Sequence, residues 1–279
     1  MKNFEANFER DGVNFHVQGW EPDAAPKAVI ALVHGLGEHV ARYAHVASAL
    51  TNAGYALVGF DLRGHGRSGG ARGHFPSLEA VLADINHFRE FVAGRYPGLP
   101  MFLYGHSLGG LLSLTYALQN PSAGFKGVVA TGAALRSALQ EQKAKIAMAK
   151  VLGSLIPATT IPSGLDAQSI SQDKAVVEKY ANDPLVHDKT SLGLGKAALT
   201  AIDLCFARAT EFVYPLLIMH GKADVLTYPS GSEDFAKLAG RKNQQVTLKL
   251  WDGMYHEIHN EPGQAEVFKT MIAWLDGRL

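Results

Sequence analysis

Met101-Phe102-Leu103-Tyr104-Gly105-His106-Ser107-Leu108-Gly109 is the stretch on which the fold reading turns. Four strand-forming residues lead into a Gly-x-Ser-x-Gly pentapeptide, and a helix-compatible run from Leu108 to Gln119 follows. A serine hydroxyl is a weak nucleophile unless a sharp turn presents it beside a base, and strand–turn–helix is the setting in which this pentapeptide does so. A side chain at Gly105 or Gly109 is expected to collide with the neighbouring strand and helix. The five residues alone are a weak signal in a chain with 29 glycines among 279 residues, so the surrounding pattern has to decide.

Outward from that turn, apolar runs of strand length recur at 13–19, 28–33, 55–60, 101–104, 127–131, 215–220 and 246–251. Helix-like segments lie between them at about 40–53, 77–96, 108–120, 229–239 and 262–278. Alternation of this kind argues for an α/β fold, a mostly parallel central sheet with helices on both faces. Chemistry in such sheets collects beyond the carboxyl ends of the strands. His34, Asp61, Ser107, Asp224 and His256 each fall just after an expected strand.

The pattern breaks at 135–210, which holds Ile156-Pro157, Ile161-Pro162 and Ser163-Gly164 and no clear strand. The expected organisation is a core of 1–134 and 211–279 with a helical cap inserted at 135–210, before the strand that precedes the acid. Met148, Val151, Leu152, Leu155 and Ile156 form one apolar helical stripe within it. Two readings stay open for that stripe. It packs on the main domain, or it belongs to a lid whose apolar face lines an acyl-chain pocket or touches lipid.

Lys and Arg number 26, as do Asp and Glu, and this balance gives no footing for nucleic acid or a polyanionic substrate. A lone Cys205 cannot form an internal disulfide and fits a reducing compartment. Residues 1–12 are polar where a secretory signal needs an apolar stretch, and no window approaches 18 consecutive apolar residues. The expected location is the cytoplasm; the lid reading of the stripe would add peripheral membrane contact through the cap.

Ser107 needs a base, a group to orient that base, and backbone donors for an oxyanion. On a sheet of this kind the triad runs in chain order serine, acid, histidine. Asp224 follows a late strand and is the preferred acid over Asp203, inside the insertion, and Asp252, four residues from the histidine. His256 ends a glycine-started loop and is preferred over His259, which is expected to begin or cap the last helix. The N–H groups of Leu36 and Leu108 are the expected oxyanion donors. His34, Glu38 and His39 lack metal-ligand spacing, so no metal and no organic cofactor is expected. His220 precedes the acid and ends a strand, and His16, His45, His87 and His187 read as ordinary surface or packing residues. Asp61, Arg63 and His65 read as part of a salt-bridged, glycine-rich loop that supports the site.

At this point the chain resembles a family. His34-Gly35-Leu36-Gly37-Glu38-His39 with Arg42-Tyr43 is similar to the signature loop of the monoacylglycerol lipases and their lysophospholipase-like relatives in the α/β-hydrolase superfamily. Asp61-Leu62-Arg63-Gly64-His65-Gly66-Arg67-Ser68, Gly105-His106-Ser107-Leu108-Gly109-Gly110 and Asn182-Asp183-Pro184-Leu185 resemble its later segments. Gly221-Lys222-Ala223-Asp224 and Tyr255-His256-Glu257 stand at its acid and base positions. The likeness runs from about residue 10 to the C-terminus and is poorest over about 135–180. It implies an α/β-hydrolase fold, the Ser107–Asp224–His256 triad, and a monoacylglycerol or lysophospholipid as the small-molecule ester substrate. Alternatives on the same scaffold are a carboxylesterase of small acyl esters, an S33-type peptidase, a carbon–carbon-bond hydrolase or a low-turnover ligand receptor.

Overall fold

Ten strands are present in the computed structural model, which describes residues 1–138 and 151–279. They are β1 (Lys2–Arg10), β2 (Val13–Glu21), β3 (Ala28–Val33), β4 (Tyr55–Phe60), β5 (Met101–His106), β6 (Phe125–Thr131), β7 (Thr160–Pro162), β8 (Lys189–Ser191), β9 (Leu216–Gly221) and β10 (Val246–Trp251). Eight form the main sheet in the order β1-β2-β4-β3-β5-β6-β9-β10. From β4 to β10 every neighbour is parallel, while β1 and β2 enter antiparallel. Strands β3, β4, β5 and β9 are buried along their whole length, which is why they read as unbroken apolar runs.

Helices cover both faces. On one side α2 (Leu78–Arg95) and α3 (Leu108–Gln119) close over a core that includes Phe60, Phe88, Leu111 and Val128. On the other, α1 (Ala44–Asn52) faces a core of Tyr43, Leu50, Phe102, Tyr104 and Met271. Helix α2 starts where the Ser77 hydroxyl accepts from the Ala80 N–H, and it carries Glu79 in its first turn and Arg95 in its last, as the helix dipole favours. The single helix expected at 40–53 is instead a 3-10 turn, Val40–Tyr43, leading into α1.

Strand β1 was not expected. Phe4, Ala6 and Phe8 pack against the core at every second position, but the charged residues between them mask the alternation. Asp11-Gly12, both with positive φ (51° and 68°), closes a two-residue hairpin between Arg10 and Val13.

Strands β6 and β9 are parallel neighbours, so the chain between them is an excursion from the sheet. Its described parts are a helical stretch at 151–155, the antiparallel pair β7–β8, α4 (Lys174–Ala181) and α5 (Leu192–Arg208). The β7–β8 pair falls where no strand was expected. Helix α5 packs on α3, and its Leu194, Ala197, Ala201 and Cys205 join the main core. The outer part differs. Val151, Leu155 and Ile156 are 58%, 71% and 48% exposed and Leu152 is half-buried, so the exposed three do not pack on the main domain. Met148 lies outside the described residues. Among the described residues no helix is long and apolar enough to cross a membrane.

Two further helices, α6 (Pro229–Ala239) and α7 (Gln264–Asp276), follow β9 and β10 and complete the two faces.

Candidate active site

Ser107 stands between β5 and α3 with φ 53° and ψ −118°; among the described non-glycine residues only Asp11 shares a positive φ. Such a conformation is strained for a residue with a side chain and persists only where its surroundings hold it. The surroundings are tight. A Cβ on Gly105 would run into the Gly109 carbonyl and Ser113 Oγ, and one on Gly109 into the carbonyls of Val33 and His34. The Ser107 N–H donates to the Thr131 carbonyl at 2.9 Å, tying the turn to β6.

His256 reaches the hydroxyl from the loop after β10. Its Nε2 is 2.9 Å from Ser107 Oγ, and its Nδ1 is 2.7 Å from Asp224 Oδ2. A ring nitrogen facing a carboxylate carries the proton, so Nε2 presents its lone pair to the serine. Asp224 sits just past β9. Its Oδ1 accepts from the Leu226 and Thr227 N–H groups at 2.8 and 3.0 Å. Its Oδ2 also takes the Thr227 hydroxyl at 2.9 Å and His220 Nε2 at 3.0 Å. Burial works against the Asp224 charge, but the facing His256 and His220 outweigh it and hold the carboxyl far below the usual range. Burial pulls His256 down, and the Asp224 carboxylate more than reverses this, leaving it above the usual 6.5.

The competing residues lie elsewhere. Asp252 is exposed and pairs with Lys222 at 2.6 Å. Asp203 lies on α5. His259 is buried in the 3-10 turn Ile258–Asn260, stacked on Tyr43 with ring centroids 5.2 Å apart; burial holds it neutral, far below 6.5. It does not begin or cap the last helix, which starts at Gln264.

Leu36 lines the same small cavity as Ser107 and His256. Leu108 is the first residue of α3, where N–H groups have no acceptor within the helix. The Leu36 loop is held from behind: Glu38 Oε1 accepts from the Gly35 N–H at 2.6 Å and from the Tyr43 hydroxyl at 2.8 Å. Arg42 joins Glu38 at 2.7 Å and forks onto both oxygens of Glu257 at 2.7 Å each. Burial would raise Glu257, but Arg42 overrides it and leaves the carboxyl at about 2. One buried guanidinium thus braces the Leu36 loop and the residue after His256.

Sequence reasoning passed over three of these groups. Glu257 adjoins the expected base, and Arg42 was seen only as part of the signature loop. His220 was set aside as an ordinary strand-end residue, yet it touches Asp224. Its signal was a histidine four positions before the acid at a strand end. The loop at 61–68 has the supporting place expected of it. Asp61 accepts from the Val40 and Arg67 N–H groups at 2.8 and 2.7 Å, and Arg63 forks onto Asp84 of α2 at 2.6 and 2.7 Å.

The cavity has room for about 20 Å³ of solvent, roughly one or two waters. Leu36, Leu165, Ile170 and Leu226 are its apolar lining residues, and Glu38, Tyr180 and Glu257 are among its polar ones. Val151, Leu152, Leu155 and Ile156 are not among its lining residues. The arrangement can deprotonate a hydroxyl, deliver it to a carbonyl and steady the resulting charge.

Residues 24–263 match a family model described as serine aminopeptidase, S33. A monoacylglycerol lipase of Mycolicibacterium smegmatis is 35% identical over 96% of this chain and 95% of its own length. An uncharacterized abhydrolase domain-containing protein of Dictyostelium discoideum is 38% identical over 96% of this chain, which spans only 28% of that protein. The crystal structure of Paleococcus ferrophilus monoacylglycerol lipase superposes with a TM-score of 0.86 at 33% identity, covering all of both chains. With 240 residues matched to the family model and a lipase aligned end to end, this chain belongs to the serine aminopeptidase S33 family of α/β hydrolases, among the monoacylglycerol lipases.

Proposed function

We propose that this protein hydrolyses the ester bond of monoacylglycerols or lysophospholipids through an acyl-enzyme on Ser107. The observation that carries the reading is His256, whose two ring nitrogens meet Ser107 Oγ at 2.9 Å and Asp224 Oδ2 at 2.7 Å. In the first step His256 Nε2 takes the hydroxyl proton as Oγ attacks the ester carbonyl. The oxyanion forms towards the N–H groups of Leu36 and Leu108. Asp224 stabilises the imidazolium, which returns its proton to the leaving alcohol oxygen as the ester bond breaks. Water, deprotonated by the same nitrogen, then releases the fatty acid. Protons move and no electrons are exchanged, so these groups complete the cycle.

The substrate reading is supported by the cavity and the family. Its apolar lining residues suit an acyl chain, and the Tyr180 phenol is available to a hydroxyl-bearing alcohol. An aminopeptidase would need a carboxylate free to hold the substrate's ammonium group, whereas Glu38 and Glu257 are both engaged by Arg42. Exposed Val151, Leu155, Ile156 and Ile161 give the cap's outer face an apolar character suited to a lipid surface.

Ser107→Ala tests the nucleophile: turnover is expected to fall about 10⁶-fold and fluorophosphonate labelling to vanish. Labelling that survives would remove Ser107 from the mechanism. A panel of monoacylglycerols, lysophospholipids, p-nitrophenyl esters and aminoacyl amides tests the substrate. Faster turnover of the amides would replace the lipase reading with the peptidase one.

A further inference from the structure

We propose that His220 is a positioning residue of this reaction: its Nε2–H bonds Asp224 Oδ2 and fixes the carboxylate that serves His256. The proposal rests on the Ser107–His256–Asp224 reading and extends it by one residue.

His220 is the penultimate residue of β9 and is fully buried. The chain turns back after it, with the Asp224 N–H bonded to the Gly221 carbonyl at 3.2 Å, and this brings the carboxylate onto the ring. Three oxygens surround Nε2: Asp224 Oδ2 at 3.0 Å, the Thr227 carbonyl at 2.8 Å and Thr227 Oγ1 at 3.3 Å. A carbonyl and a carboxylate only accept, so Nε2 carries the ring proton. Nδ1 is then the acceptor, and it meets the buried Ser232 hydroxyl of α6 at 2.8 Å. Helix α6 therefore sets the tautomer of His220, and the tautomer supplies a donor to the acid. The two imidazoles at Asp224 are opposites: His256 offers its Nδ1 proton and His220 its Nε2 proton to the same oxygen.

This has two consequences for catalysis. A carboxylate held from both sides cannot rotate away when His256 moves between neutral and charged forms. Sharing its charge with a second donor also limits how strongly it holds the imidazolium. Asp224, Glu257, Glu38, His106 and His259 act on His256 electrostatically and the Thr227 hydroxyl lies 3.1 Å from its Nδ1, and all remain when His220 is changed.

The test is kcat and KM for a soluble ester across pH in wild type, His220→Leu, His220→Gln and Asp224→Asn. His220→Leu removes the donor. Its kcat is expected to fall about 10- to 100-fold with KM little changed, the range that a hydrogen bond to a charged group supplies. Its acid limb should move to higher pH, because the less shared carboxylate holds the imidazolium more tightly. His220→Gln keeps an N–H donor on a side chain of similar reach and should recover most of the loss. Wild-type kcat in His220→Leu, or a glutamine variant as impaired as the leucine one, overturns the proposal. A mild Asp224→Asn variant would instead remove the acid assignment on which the proposal rests. Should His220→Leu fail to fold, nitrogen-15 NMR of the wild-type ring decides. The Nε2–H tautomer supports the proposal and the Nδ1–H tautomer overturns it.

Discussion

Asp224 Oδ2 accepts three side-chain donors within 3.0 Å, whereas Leu155, in the outer part of the insertion, is 71% exposed. The insertion itself divides along the same line. Its inner segments are tied to the core. The Glu257 N–H reaches the Ile170 carbonyl, Gln172 bonds Glu261 through both its backbone and its side chain, and the His187 N–H reaches the Gly37 carbonyl. His39 and Asp183 add a contact at 3.0 Å. Val151, Leu155, Ile156 and Ile161 are exposed instead. Reaction chemistry demands groups fixed to a fraction of an ångström, while a surface that meets a varied lipid needs apolar area more than fixed geometry. Under the proposed function, the contrast is one of task.

Asp224→Asn strikes the fixed side hardest. A fall of about 10⁴ in kcat is expected, because the amide no longer selects the tautomer or supports the imidazolium. If Asp252→Asn proves the more damaging change, the ordering of the whole site is wrong. Glu257→Gln comes next. Breaking a buried pair costs about 3–5 kcal/mol, which corresponds to a drop of roughly 10 °C in melting temperature for a chain of this size. Melting unchanged by that variant would mean the Arg42 brace is idle. Acid should act on stability too. Burial holds His34 and His106 at about 3, so their contribution is complete above the unfolded value of 6.5 and is lost as pH falls from there towards 3. Melting curves at pH 7.5, 5.5 and 4.5 should show a steady decline. Activity has its own limb: His256 must be neutral, and because its value lies above 6.5, kcat/KM should still be rising with pH beyond that point. The smallest effect belongs to Leu155→Ser. Stability should change by under about 0.5 kcal/mol, with soluble esters hydrolysed as before and only vesicle-borne substrate turned over more slowly. Equal loss on both substrates would erase the contrast between the two regions.

What the sequence makes legible follows the same division. The turn at Ser107, its two glycines and the strand-end places of Asp224 and His256 are readable because steric and chain-order rules permit few other arrangements. Strand β1 hides because Glu5, Asn7 and Glu9 face solvent between its inward residues, although Asp11-Gly12 was a usable hairpin signal. Arg42 and Glu257 matter through each other, 215 positions apart, and spacing along one chain carries little of that; His220 lies only four positions before Asp224, but a lone strand-end histidine does not declare which way its ring turns. Periodicity does identify an apolar stripe at 148–156. It cannot say whether the stripe faces protein, substrate or solvent, since all three demand the same pattern.

The excursion leaves the sheet at Thr131 and returns at Leu216, on strands that lie side by side, about 4.8 Å apart. Closing a loop between such neighbours depends only weakly on its length, about 0.6 kcal/mol for each doubling. The outer part of that stretch, whose Val151, Leu155 and Ile156 are exposed, can therefore lengthen, shorten or be rewritten with little disturbance to the register of either strand, whereas α5 is held by its packing on α3. Heredity can try new entrances to this catalyst while copying its machinery unchanged.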